Sequence, residues 1–283
     1  MRVTDSIRRA GDWTLVLLSA GIDHRVDIRE GALALVVAST DGPGALAALD
    51  AFDAESRPAI EAPVPDLGPS PLGFAFAVLL VMMFRVTGAG DARPSPSWFD
   101  VGSAASSAIL DGETWRTVTA LTLHGDLMHL VGNVVASLLF VSAVGRWLGV
   151  GLGGALILAC AAGGNFLTAW AYGPGHLSIG ASTATFAALG LLAGVQVARR
   201  FEHVERRRRA WVPLAAGLCL VTMLGASERA DLVAHLFGLG TGIVAGAAVS
   251  ASGIRPPGLV LQSLLAALTV AMLTGSWWLA APR

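Results

Sequence analysis

The chain has 283 residues, 54% of them hydrophobic and only 14% charged, with a mean hydropathy of +0.65. That balance excludes an ordinary water-soluble globule, in which about 25% of residues are charged, and reads as a polytopic membrane protein. The net charge of −1 leaves partners undefined. Cys160 and Cys219 both fall in apolar stretches, where they pack as small apolar residues and indicate no disulfide framework.

Residues 1–56 are charged and are expected to form a small soluble α+β unit. Trp13, Val16, Leu17 and Ala20 recur at helical spacing, whereas Val26 and Ile28 alternate with polar neighbours as in a strand. Arg29-Glu30-Gly31 reads as a turn and Leu33 to Val37 as a second strand. Asp41 before Pro43 then starts a helix through Ala45 to Glu55. The predicted order is α-β-β-α, with His24 on its surface. Residues 57–70, with Pro58, Pro63, Pro65 and Pro69, form a stiff linker. Arg2, Asp5, Arg8 and Arg9 without a following apolar region argue against a signal peptide.

Apolar windows near 71–90, 127–147, 150–172, 180–198, 211–226, 232–253 and 258–280 predict seven membrane spans. Arg85 lies close to the end of the first and is expected to snorkel. Every basic residue is arginine, and fourteen of the nineteen fall in segments that are cytoplasmic if the amino terminus is. The run Arg206 to Arg209 therefore anchors its loop inside and is not read as a nucleic-acid patch. Residues 91–126, with Trp98-Phe99, a small-residue run from Val101 to Ala108, and Trp115-Arg116, form the longest loop and lie outside. The expected location is a bacterial cytoplasmic membrane.

Ser182, in Gly180-Ala181-Ser182-Thr183-Ala184, opens the fourth span, and His235, in Asp231-Leu232-Val233-Ala234-His235, opens the sixth. One intervening span makes both start from the outer face. A hydroxyl and an imidazole at similar depth are the minimum for nucleophilic hydrolysis, and polar groups inside spans are functional candidates. The second span adds His124, His129 and Asn133; the last two are four apart, hence on one helix face. They suit either oxyanion stabilisation or polar bonding between helices. Gly238 and Gly242 share the His235 face and permit close backbone approach. Phe186 lies one turn below Ser182, placed to pack on an imidazole or simply on a neighbouring helix. His176 and His203 read as solvated loop residues.

These pieces together resemble the rhomboid family of intramembrane serine proteases: Trp115-Arg116 in the outer loop, His124, His129 and Asn133 in span two, Gly180-Ala181-Ser182 at the head of span four, and Ala234-His235 with Gly238 and Gly242 in span six. The resemblance covers about residues 71–255, a six-span core, and residues 256–283 add a seventh span. It implies Ser182 as nucleophile, His235 as general base, and His129 and Asn133 with the Ser182 amide as oxyanion hole. No cofactor or metal is implied. The partners implied are the lipid bilayer and transmembrane protein substrates, with no nucleic acid. The family usually has glycine after the serine, where this chain has Thr183, a feature that favours the alternative of an inactive rhomboid-like protein that binds client helices.

Elimination points the same way. There is no lysine for a Ser/Lys dyad, no His-Glu-x-x-His zinc motif and no mid-span aspartate pair. A metal site from His124, His129 and His235 lacks an evident acidic second shell.

Overall fold

A computed structural model describes residues 2–4, 6–29, 31–55, 70–89, 97–200, 231–253 and 256–281. The predicted fifth span, the Arg206 to Arg209 run, His203, Cys219 and most of the linker lie outside the described residues. The chain divides into two compact units, residues 1–64 and 65–283.

The first unit contains β1 (Arg2–Thr4), α1 (Ile7–Ser19), β2 (His24–Arg29), β3 (Ala32–Val37) and α2 (Gly42–Glu55). The sheet is antiparallel with order β1-β3-β2, and Val26 pairs with Leu35. The order is thus β-α-β-β-α. The predicted α-β-β-α lacks β1, because three residues carry no readable alternation and become a strand only by pairing with β3. Ser6 caps α1 by accepting from the Arg9 amide. Trp13 and Leu17 from α1 pack on Leu35 and Leu49. The indole of Trp13 donates to Asp53 at 2.9 Å, and Arg2 pairs with the same carboxylate at 2.6 Å. Burial opposes ionisation of Asp53, but the Trp13 hydrogen bond and the Arg9 and Arg2 charges outweigh it and hold the carboxyl below its usual range. His24 is half-buried, at the start of edge strand β2.

The second unit is a helical membrane bundle. It starts with α3 (Pro71–Thr87), whose N-cap Ser70 accepts from the Gly73 amide. Pro71 fits the first turn because its missing donor is not needed there. Arg85 falls in the last turn of α3. From residue 97 the long loop holds α4 (Trp98–Gly102), β4 (Ala104–Ala105), α5 (Ser106–Leu110), α6 (Arg116–Thr119) and a 3₁₀ turn (Ala120–Thr122). The small residues from Val101 to Ala108 leave room for this tight folding but show no periodicity that would predict it.

After the loop come α7 (Leu127–Leu148), α8 (Val150–Tyr172), strand β5 (Leu177–Ser178), α9 (Ser182–Arg200), α10 (Leu232–Ala251) and α11 (Leu259–Ala280). Among the described residues α7, α8, α10 and α11 are long and apolar enough to cross a membrane, while α3 and the Ser182–Val195 part of α9 are shorter apolar helices. The core lies where α7, α8 and α9 meet, around Val141, Val144, Ile157, Ala161, Ala187 and Leu191. Helix α11 buries only 6% of its apolar window against the described residues. Gln262 secures its near end: Oε1 accepts from the Gly151 and Leu152 amides, and Nε2 donates to the Leu148 carbonyl. One amide side chain thus satisfies orphan groups at the end of α7 and the start of α8.

Candidate active site

The site starts from two caps. Asp126 accepts from the His129 amide at 2.8 Å and starts α7. Asp231 accepts from the Ala234 amide at 3.0 Å and starts α10. Each cap puts a histidine in or next to the first turn of its helix. Ser182 is the first residue of α9, reached through β5, which pairs antiparallel with β4 of the outer loop.

Helices α9 and α10 pack closely at this end. A methyl group at Gly238 would lie 2.6 Å from the Thr183 carbonyl oxygen, and one at Gly242 would collide with the carbonyl of Ala187. Only hydrogen fits at either position. The first turn of α10 is therefore held against the first turn of α9, and the ring of Phe186 stacks on that of His235 with centroids 4.5 Å apart and planes 26° from parallel. His235 is 3% exposed, whereas Ser182 is half-buried. Nδ1 of His235 is buried without a hydrogen-bond partner among the described residues.

Gly180 links this pair to span two. Its φ is +117°, a conformation that side chains rarely adopt, and its amide donates to the Ala120 carbonyl at 2.9 Å. A methyl group here would lie 2.5 Å from Nε2 of His129 and 3.7 Å from Nδ2 of Asn133. The imidazole of His129 thus lies against the backbone two residues before Ser182. Asn133 is 4% exposed and spends one amide hydrogen on the His129 carbonyl at 3.1 Å; the NH₂ group carries a second donor. His124 is fully buried and T-shaped on His129 at 5.1 Å.

Trp115 and Arg116 serve the outer loop. Arg116 is 9% exposed; it pairs with Glu113 at 2.6 Å and donates to the carbonyls of Asp100 and Ser103. The Trp115 indole nitrogen is buried without a partner among the described residues. His176 departs from expectation: instead of being solvated, Nε2 bonds to Asp231 at 2.7 Å and its ring stacks on Tyr172 at 3.9 Å. Its distance in sequence from every partner except Tyr172 hid these contacts. Thr183 is 2% exposed, and its methyl carbon packs toward Gly164 of α8 and Gly238 of α10. Among the described residues no cluster of His, Cys, Asp or Glu has the arrangement to hold a metal ion.

A helical membrane bundle with a serine and a histidine at the heads of adjacent helices, and a second histidine against the serine's approach strand, defines the class. A family model described as the rhomboid domain matches residues 111–252, and the chain belongs to the rhomboid family. It is 26% identical over 152 residues to "RHOMBOID-like protein 5" of Arabidopsis thaliana, a match covering 53% of this chain and 49% of that protein. It is 28% identical over 146 residues to "Putative rhomboid protease YdcA" of Bacillus subtilis, covering 50% of this chain and 70% of that one. With "Rhomboid protease GluP" of the same bacterium it shares 30% over 147 residues, covering 52% of this chain and 29% of GluP. The chain is an integral membrane protein.

Proposed function

We propose that the protein is an intramembrane serine endopeptidase that hydrolyses a peptide bond in or near the transmembrane segment of a membrane-anchored substrate. The observation that carries this reading is the stack of His235 on Phe186, one turn below Ser182. Ser182 Oγ attacks the scissile carbonyl as its proton passes to the His235 imidazole. The oxyanion receives hydrogen bonds from His129, the free amide hydrogen of Asn133 and the Ser182 N–H. His235 then returns the proton to the leaving amine, and water admitted to the half-buried serine releases the acyl-enzyme by the same steps in reverse.

Thr183 is the residue that favours the alternative, a non-catalytic binder of client helices. Its methyl group packs toward two glycines, which supports a role in helix spacing more than in blocking substrate. The test is cleavage of a panel of model transmembrane substrates, with labelling by a fluorophosphonate. Ser182→Ala and His235→Ala should each lose cleavage while inserting normally, and the probe should label the parent but not Ser182→Ala. Cleavage at the parental rate by Ser182→Ala would refute the assignment.

The orientation proposed has residues 1–70 and 199–210 in the cytoplasm of a bacterium and residues 91–126 and the dyad toward the outer face. In a background without Cys160 and Cys219, Ser95→Cys should react with an impermeant thiol reagent in intact cells and Val204→Cys should not. The reverse pattern would invert the protein.

A further inference from the structure

We propose that His176 and Asp231 form a clasp that positions His235 opposite Ser182, a pair of positioning residues outside the catalytic set. The inference rests on the dyad reading above. Residues 201–230 separate α9 from α10 in sequence, so the backbone does not tie the two helix heads directly. The clasp does so through side chains. His176 lies in the segment that runs through β5 and Gly180 into Ser182, and Asp231 lies one turn ahead of His235.

Both carboxylate oxygens and the backbone carbonyl of Asp231 are used toward this end. Oδ1 accepts from the Ala234 amide at 3.0 Å, the backbone carbonyl accepts from the His235 amide at 3.1 Å, and Oδ2 accepts from Nε2 of His176 at 2.7 Å. The carboxylate thus caps α10 with one oxygen and holds His176, at the start of the segment leading to Ser182, with the other. His176 is fixed from two further directions. Tyr172, the last residue of α8, stacks on the His176 ring at 3.9 Å and 17°, and the His176 carbonyl accepts from the Ser106 amide of α5 at 2.9 Å. Side-chain exposures of 23% for His176 and 12% for Asp231 shield the bond from competing water. An anionic cap also suits a helix N-terminus. Without the clasp, the first turn of α10 keeps its glycine packing but loses the contact that orients it toward Ser182.

Displacing a reacting group by about 1 Å costs on the order of 10² in rate, so a loosened clasp should act on the chemical step. The experiment uses the full chain in detergent and measures fluorophosphonate labelling of Ser182, together with kcat and KM on a model transmembrane substrate. His176→Phe keeps the stack and removes the donor; Asp231→Ser keeps a helix cap and removes the acceptor. Each should lower labelling rate and kcat by about tenfold or more, with KM within about twofold. The double variant should lose no more than either single one, as expected for one shared contact. His176→Gln, which restores an N–H donor, should recover most of the rate. Parental labelling by both His176→Phe and Asp231→Ser would overturn the clasp, as would a loss that His176→Gln does not repair or a change confined to KM. A parent that the probe does not label would instead sink the dyad reading, and the clasp with it.

Discussion

Replacing Gly180 by alanine tests the link between the proposed oxyanion donors and the proposed nucleophile most directly. Two costs follow from the structure. At φ +117° an alanine is strained, by about 1–3 kcal/mol for a sparsely populated backbone region. The new methyl would also lie 2.5 Å from Nε2 of His129, so the imidazole must retreat by roughly 1 Å to reach ordinary contact distance. On the proposed mechanism that retreat withdraws one oxyanion donor, worth around 10²–10³ in rate. Gly180→Ala should therefore reduce cleavage by at least about a hundredfold while the protein still inserts and binds substrate. The assay is single-turnover cleavage of a model substrate, paired with the thermal unfolding midpoint in detergent. Adding His129→Ala should cost little more, since the methyl then has no ring to displace. Parental turnover by Gly180→Ala, or full additivity with His129→Ala, would refute the reasoning.

Other expectations follow from the packing. His129→Ala and Asn133→Ala should each slow turnover by around 10²–10³ without abolishing fluorophosphonate labelling; unchanged kinetics in the double variant would leave these residues a purely structural role. Thr183→Gly removes the methyl that packs toward Gly164 and Gly238 and should lower the unfolding midpoint, at about 1 kcal/mol per lost methyl group. An inert parent that gains cleavage on this change would favour the binding protein instead. Gly242→Val should separate α9 from α10, because Ala187 already fills the space; overpacking costs about 1–3 kcal/mol, and loss of labelling should accompany the drop in midpoint. Gln262→Leu leaves the Gly151 amide and the Leu148 carbonyl without their partner and should destabilise the protein by about 1–3 kcal/mol, measured as earlier release of α11 to limited proteolysis.

Local and periodic features were legible in the sequence. Apolar runs mark α7, α8, α10 and α11 because lipid demands long apolar segments whose backbone is satisfied internally. Asp41 before Pro43 marked the start of α2, and the spacing of His129 and Asn133 put both on one face of α7. The order and chemistry of Ser182, His235, His129 and Asn133 were enough to suggest the family. Contacts between distant segments were not legible. The β1 strand exists only through β3, and the outer loop takes its form from Arg116 bonding to carbonyls of Asp100 and Ser103. His176 reads as an ordinary loop residue until Asp231 is brought beside it. Likewise, Thr183 reads as an obstruction until Gly164 and Gly238 supply the space for its methyl group. Composition and period report how one segment meets its solvent, whereas these features depend on which side chain arrives from another helix, and that is decided only when the bundle packs.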